Sequence, residues 1–216
     1  MKPRYVTVRE RIDKSLVDLL VSELSAVPDY RHRRGRRFGL GQMLAYVALA
    51  KLSGAQTTAD IARWMADRRD ALKAVGLPMF SYKTALRVSR RTDAGALDQV
   101  LCRLAGRVVG ARAAPGEVVT VAVDGKELTG SIRRDAPAVR LVSVWDHATG
   151  VTLGQTPVGS KGGEQGALPG LLAQVADVLA DTPGAPGGIV VTLDANFCGD
   201  PALAAVAAAR ADWVVK

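Results

Sequence analysis

Cysteine and histidine are both scarce in this chain of 216 residues, which has two of each. Cys102 and Cys198 lie far apart, and neither has a partner at CxxC spacing, so the pattern disfavours a structural zinc site. We expect a reducing, cytoplasmic setting. No apolar run approaches the roughly 20 residues that span a bilayer, and we therefore expect no membrane partner.

Positive charge is abundant but unevenly distributed. The net charge is +8; residues 1–93 hold 19 Lys and Arg against 9 Asp and Glu, whereas residues 94–216 hold 10 against 12. A basic front half joined to a slightly acidic back half indicates a polyanion-binding module attached to something else. The alternative is that arginine is common because the coding sequence is rich in G and C, although such a bias should act on both halves.

The front half shows the periodicity of helices. A threonine followed by an acid at Thr57–Asp60 predicts a helix start, and that helix would turn Ile61, Trp64 and Met65 inward. The predicted helices are Ser15 to Leu24, Gly41 to Leu52, one opening at Thr58, Ser81 to Arg91, and Ala94 to Val109.

The back half shows short runs of β-branched and apolar residues instead. The predicted strands are Val118 to Val123, Val139 to Trp145, Val151 to Val158, Ile189 to Leu193, and one beginning at Asp212. Helices are predicted from Glu164 to Leu179, interrupted at Pro169-Gly170, and from Pro201 to Arg210. The order β-β-β-α-β-α-β predicts an α/β fold whose first three strands are antiparallel, with helical crossovers before the last two.

Two of these strands are followed directly by an aspartate. Asp124 comes after the first run and Asp194 after the fourth. In a sheet of this order the first and fourth strands are commonly adjacent, which would place both carboxylates at one edge. Hard carboxylate oxygens suit Mg²⁺ or Mn²⁺, and such metals promote phosphodiester cleavage. The alternative is that each aspartate merely starts a turn, as Asp-Gly often does.

Several short motifs, in this order and spacing, resemble the ISAs1 family of bacterial insertion-sequence transposases from about Val27 to Lys216. The motifs are Arg31 to Phe38, Asp60 to Trp64, Ala122 to Lys126, Leu141 to Val144, Lys161 with Glu164, Leu168 to Leu172, and Thr192 to Ala195. The resemblance implies a basic helical, transposase-associated DNA-binding domain over residues 1–110. It also implies that residues 118–216 form the N-terminal portion of a DDE catalytic domain, an incomplete ribonuclease-H-like mixed β-sheet with flanking helices.

In that scheme Asp124 and Asp194 are the first two catalytic acids and hold Mg²⁺ or Mn²⁺, with Lys126 beside the metal. The family's third acid lies on a helix beyond the fifth strand, whereas this sequence stops at Lys216. We therefore expect a C-terminally truncated transposase for DNA cleavage and strand transfer that is inactive alone. The alternative is a non-catalytic DNA-binding remnant or an inhibitor of the intact transposase.

The implied partners are the double-stranded DNA of the element ends and target, together with a second copy or the intact transposase, at the nucleoid. Arginine binds phosphate oxygens bidentately, and we expect two segments to contact DNA, Arg31 to Arg37 and Ser81 to Arg91. The alternative for Arg31 to Arg37 is a solvated loop. With the helix that opens at Thr58, the second segment resembles a helix-turn-helix whose second helix would present its cations, and the alternative is a packing helix. The predicted DNA-contacting residues are Arg31, Arg33, Arg34, Arg36, Arg37, Lys83, Arg87, Arg90, Arg91, Lys126 and Lys161.

Overall fold

A computed structural model describes residues 12–114, 116–128, 131, 138–159, 163–182, 185–194, 197 and 199–215 of the protein. Its helices are α1 (Lys14–Leu24), α2 (Leu40–Leu52), α3 (Thr58–Asp67), α4 (Arg69–Ala74), α5 (Tyr82–Arg91), α6 (Ala94–Arg112), α7 (Glu164–Ala180) and α8 (Asp200–Ala208). Its strands are β1 (Val118–Glu127), β2 (Arg140–Asp146), β3 (Thr152–Val158), β4 (Gly188–Leu193) and β5 (Asp212–Val215). The chain divides into two compact units between Val100 and Leu101, within α6. None of the described helices is long and apolar enough to cross a membrane.

The N-terminal unit is built around α2, which is apolar on most of its surface and packs against α1, α3 and α5. Tyr46 is fully buried on α2, and its hydroxyl donates to the carbonyl of Leu77 at 3.3 Å. Burial raises the pKa of Tyr46 to about 12 because the phenolate would lose its hydration. This helix therefore forms the centre of the hydrophobic core of the unit.

Helix α3 begins as the sequence predicts. The Thr57 side chain accepts from the backbone N–H of Asp60, and the Asp60 carboxylate accepts from the backbone N–H of Thr57. This reciprocal capping satisfies two donors that the first turn would otherwise leave open. The predicted inward positions are confirmed, since the side chains of Ile61, Trp64 and Met65 are all buried.

The C-terminal unit contains a five-stranded mixed sheet in the order β3-β2-β1-β4-β5. Neighbouring pairs β1–β2 and β2–β3 are antiparallel, whereas β1–β4 and β4–β5 are parallel. The predicted mixed α/β topology is confirmed. One face of the sheet packs against α7, α8 and the last part of α6, and the core of the unit lies between these layers. The edge strand β5 leaves Trp213, Val214 and Val215 exposed.

Two local predictions were wrong, and one helix was not predicted. Strand β1 does not end before Asp124 but continues to Glu127, because β2 still pairs with it over Asp124 to Glu127. Helix α7 runs unbroken through Pro169, since the neighbouring Leu168 and Leu171 are buried and their burial outweighs one lost hydrogen bond. The short helix α4 was not predicted; Leu72 is its single buried residue, so no apolar period marks it.

Candidate metal centre and nucleic-acid interface

The two predicted acids lie just beyond the point where the parallel pairing of β1 with β4 ends. The ladder between β1 and β4 runs from Val118 opposite Gly188 to Ala122 opposite Thr192. Asp124 and Asp194 therefore each lie two residues beyond the last pair. Adjacent strands are about 4.8 Å apart, so the fold brings these residues to the same end of the same pair of strands. Both side chains are exposed.

The two sides of β1 differ at this point. Toward β4 the pairing stops at Ala122, whereas toward β2 Asp124 still pairs with Ser143. The extension ends in an ion pair, with the Arg140 guanidinium 2.8 Å from the Glu127 carboxylate. The backbone of Asp124 is thus paired with β2 on one side, and it lies beyond the described pairing with β4 on the other.

Side-chain alternation decides which groups share a face with Asp124. Val121 and Val123 belong to the core beneath α7, and successive strand residues point to opposite faces. Asp124 therefore faces away from α7, and Lys126, two residues on, shares its face and is exposed. The predicted neighbourhood of Lys126 and Asp124 follows from this spacing.

The acidic start of α7 lies on the other face. A methyl group placed on Gly125 would be 3.3 Å from the Cγ of Glu164, so the Glu164 side chain lies against Gly125 on the α7 side of the sheet. Alternation separates Glu164 from the carboxylate of Asp124. Among the described residues, no group of three or more His, Cys, Asp or Glu side chains could hold a metal ion.

His147 directly follows β2 and contacts β4. Its Nε2 lies 3.0 Å from Oγ1 of Thr192 on β4, and that hydroxyl donates to the carbonyl of Val121 on β1 at 3.3 Å. Because the hydroxyl has one proton, Nε2 is the donor to Thr192. These two hydrogen bonds link His147, Val121 on β1 and Thr192 on β4, which lies two residues before Asp194. No pattern in the sequence predicts them, because they depend on the order of strands in the sheet.

In the N-terminal unit, two of the five clustered arginines stabilise their own loop. Arg31 is largely buried, contacts the Asp29 carboxylate at 2.8 Å and donates to the carbonyl of Phe38 at 2.8 Å. Arg36 donates to the carbonyls of Arg31 and Asp29, each at 2.8 Å. We call Asp29, Arg31 and Arg36 the loop clasp. Arg33, Arg34 and Arg37 are exposed.

The loop clasp shifts the pKa values of Asp29 and Arg31. The hydrogen bond from Arg31 lowers the pKa of Asp29 below its usual range, and the charges of Arg31 and Arg36 add to that effect. The same hydrogen bond raises the pKa of Arg31. Asp29 is therefore ionised at neutral pH and pairs with Arg31 and Arg36 of the arginine segment.

Helix α5 presents a basic face. Ser81 caps it by accepting from the backbone N–H of Thr84, and Ala85 and Val88 are buried. The predicted cations have helical spacing that puts them on one face, and all of them are exposed: Lys83, Arg87, Arg90 and Arg91. Helix α4 lies between α3 and α5 in the chain, so the connection is longer than the turn of a helix-turn-helix.

The two basic segments meet. The Tyr30 hydroxyl donates to the carbonyl of Arg87 at 3.3 Å, so the loop beginning at Tyr30 is joined to α5. Arg37 and Arg87 line the same pocket between them. Both segments thus contribute to a single basic surface of the N-terminal unit. Lys161, the remaining predicted cation, lies outside the described residues.

Comparison with known proteins gives a family match for the front of the chain. Residues 21–105 match the family model described as DDE_Tnp_1-associated. The chain is 24% identical over 206 residues to "Putative transposase YncI" of Escherichia coli O157:H7, an alignment that covers 92% of this chain and 49% of that protein. The chain therefore spans about half the length of the curated relative it matches.

The solved structures with weak similarity to this chain include two Mos1 complexes. The "Mos1 transposase paired-end complex with left transposon end" has a TM-score of 0.31 and 11% identity, covering 87% of this chain and 61% of that one. The "Mos1 mariner paired end complex with Mn" has a TM-score of 0.28 and 10% identity, covering 86% and 61%. The domain match and the similarity to YncI, rather than these structures, support a DDE-type transposase family for this chain.

Proposed function

We propose that this chain is part of an ISAs1-type DDE transposase that cleaves DNA and transfers strands at the ends of an insertion sequence. The observation that carries the proposal is the pair of exposed aspartates, Asp124 and Asp194, at the same end of two adjacent parallel strands. Because its substrate is chromosomal DNA, we propose that the protein acts at the nucleoid.

The donor chemistry fits a divalent metal. Two exposed carboxylates offer hard oxygen ligands and leave positions for water and phosphate, which Mg²⁺ and Mn²⁺ prefer. When bound, such a metal would activate the attacking oxygen and stabilise the leaving one. Asp124 and Asp194 would hold it, and Lys126 on the Asp124 face would attract a phosphate.

A third carboxylate is needed to complete a DDE site, and Glu164 lies on the opposite face of the sheet. We therefore expect the chain by itself to bind metal but not to cleave DNA. A chain that binds DNA without cleaving it would act as a competitor of an active transposase, and that role does not depend on the aspartates.

DNA binding is assigned to the N-terminal unit. The exposed cations of the loop and of α5 supply phosphate contacts, whereas Arg31 and Arg36 shape the loop. The proposed contacts are Arg33, Arg34, Arg37, Lys83, Arg87, Arg90 and Arg91.

Titration with Mn²⁺, followed by electron paramagnetic resonance, tests the metal centre. We expect wild type to bind Mn²⁺ and both Asp124→Asn and Asp194→Asn to lose at least about tenfold in affinity, because each removes a charged ligand. Asp212→Asn is the matched control, an exposed aspartate at the start of β5 in the same sheet. Equal Mn²⁺ binding by all four proteins would contradict the metal centre. DNA binding by the Asp124→Asn protein would be retained.

A further inference from the structure

A pocket of about 380 Å³ opens in the N-terminal unit where the arginine loop meets α5. Its lining includes three aromatic rings, from Tyr30, Phe38 and Phe80. The Phe38 and Phe80 ring centroids are 6.3 Å apart, and Tyr30 is 37% exposed at the surface. We call this the aromatic pocket. Its volume is within the range of small-molecule sites.

The charge of the pocket is of one sign. Arg31, Arg37 and Arg87 are among its lining residues, and none of the described residues that line it is an aspartate or glutamate. Arg31 is neutralised by Asp29 in the loop clasp, whereas no ion pair to a described residue is found for Arg37 or Arg87. The Arg37 guanidinium lies 5.3 Å from the centroid of the Phe38 ring. Two cations are therefore available beside aromatic surface.

The start of α5 adds polar groups suited to an anion. Ser81 and Thr84 line the pocket, and their hydroxyl oxygens are 3.1 Å apart. Helix α5 begins at Tyr82, and the N-terminal end of a helix favours negative charge. A ligand that combines a flat aromatic part with a phosphate matches all of these groups.

A nucleotide has both parts, but a base within duplex DNA is stacked between its neighbours and does not expose its face. Aromatic side chains and arginine planes bind bases that have left the stack. We propose that the aromatic pocket binds an unpaired nucleotide of a DNA strand, with the base against the rings and the phosphate at Arg37 and Arg87. This inference rests on the proposed DNA-binding function and names the form of DNA that the N-terminal unit selects.

The test compares two labelled duplexes of the same sequence, one perfectly paired and one with a single unpaired 2-aminopurine. With the full chain, we expect the second duplex to bind about tenfold more tightly, the size that stacking of one base supplies. The fluorescence of 2-aminopurine should change on binding, because it responds to stacking of that base. Free deoxynucleoside monophosphate is the third ligand, expected to bind weakly because it lacks the neighbouring phosphates.

Variants locate the effect. Tyr30→Leu and Phe38→Leu each remove a ring and keep apolar volume. We expect both to reduce the preference for the unpaired base, measured as the ratio of the affinities for the two duplexes, at least about threefold. Tyr82→Leu is the matched control, since Tyr82 is 46% exposed on α5 and does not line the pocket. Circular dichroism checks that each variant is folded; Tyr30, at the surface, serves if Phe38→Leu unfolds.

The outcomes separate this inference from the proposed function. Equal binding of the two duplexes with an unchanged 2-aminopurine signal overturns the pocket and leaves DNA binding intact. Absence of binding to any DNA overturns both. Tight binding of the free monophosphate, equal to that of the unpaired duplex, also overturns the inference by assigning the pocket to a free nucleotide.

Discussion

At the scale of single residues, Asp29 determines which arginines of the segment are paired within the loop and which remain exposed. It accepts from the side chain of Arg31 and contacts Arg36 at 3.5 Å. Without an acid inside it, a segment with five arginines would repel itself and remain extended. Asp29 therefore turns part of the positive charge inward and leaves Arg33, Arg34 and Arg37 at the surface.

The clasp predicts a specific dependence of stability on pH. The pKa of Asp29 is lowered in the folded protein, so its contribution to stability is complete above the ordinary carboxyl pKa of 3.8. That contribution is lost as the pH falls through the lowered value. We expect Asp29→Asn to cost about 1 kcal/mol at pH 7, and this difference should shrink below about pH 4.

Urea unfolding of both proteins between pH 7 and pH 3 measures the difference. Asp18→Asn is the control, because Asp18 pairs with Lys14 at an exposed site, where ion pairs contribute little. A difference between wild type and Asp29→Asn that grows as the pH falls would contradict the assigned role.

At the scale of elements, the close approach of α6 and α7 depends on one glycine. A methyl group on Gly106 would collide with Cγ1 of Val178 and lie 3.3 Å from the Val178 carbonyl oxygen. Valine has little freedom to rotate away, so the helices would have to separate. We expect Gly106→Ala to destabilise the protein by about 1–3 kcal/mol.

Gly170→Ala supplies the comparison within the same unit. Gly170 is inside α7 and has open space around its missing side chain. Alanine is favoured there by about 0.5–1 kcal/mol. Thermal unfolding of the two variants should give shifts of opposite sign, and a stabilised Gly106→Ala protein would show that α6 and α7 are less closely packed than described.

The same scale shows which elements a sequence reveals. The strands could be predicted because each buried strand is a short apolar run. Their directions could be predicted because antiparallel strands are joined by short turns, whereas parallel strands need a crossover connection such as a helix. The end of β1 could not, because pairing over Asp124 and Gly125 is decided by β2, whose residues lie near in space but not in sequence. Helix α4 was missed since a six-residue helix has one buried position and hence no period.

The candidate site divides in the same way. Asp124 and Asp194 could be proposed from the sequence because an acid after an apolar run is a local signal. The tie from His147 to Thr192 and the meeting of Tyr30 with Arg87 join residues 45 and 57 positions apart. Such contacts are created by the packing of elements, so no spacing in the sequence encodes them.

At the scale of the whole molecule, the excess positive charge has a measurable consequence for DNA affinity. Seven exposed cations are proposed as phosphate contacts in the N-terminal unit. Each phosphate contact contributes about −0.9 to the slope of log affinity against log salt concentration. We expect a slope near −6 for duplex DNA if all seven engage.

Replacing Arg90 or Arg91 by glutamine should make the slope shallower by about one per residue. Arg63→Gln is the control, since Arg63 on α3 is paired with Asp60 at 2.7 Å and is not among the proposed contacts. Fluorescence anisotropy at several salt concentrations measures the slope. An unchanged slope in the Arg90 and Arg91 variants would remove α5 from the interface.

The parallel pairing of β1 with β4 also sets an order in time. β1, β2 and β3 can pair as soon as they have been synthesised, because each is antiparallel to the next along the chain. Asp194 follows Asp124 by 70 residues, which the ribosome adds in roughly 4–14 s at about 5–20 residues per second. During that interval the nascent chain holds one aspartate of the pair without the other. The proposed metal centre is thus completed only after the arginine loop and α5 have been synthesised, so a nascent chain would have its proposed DNA-binding segments before it could bind metal.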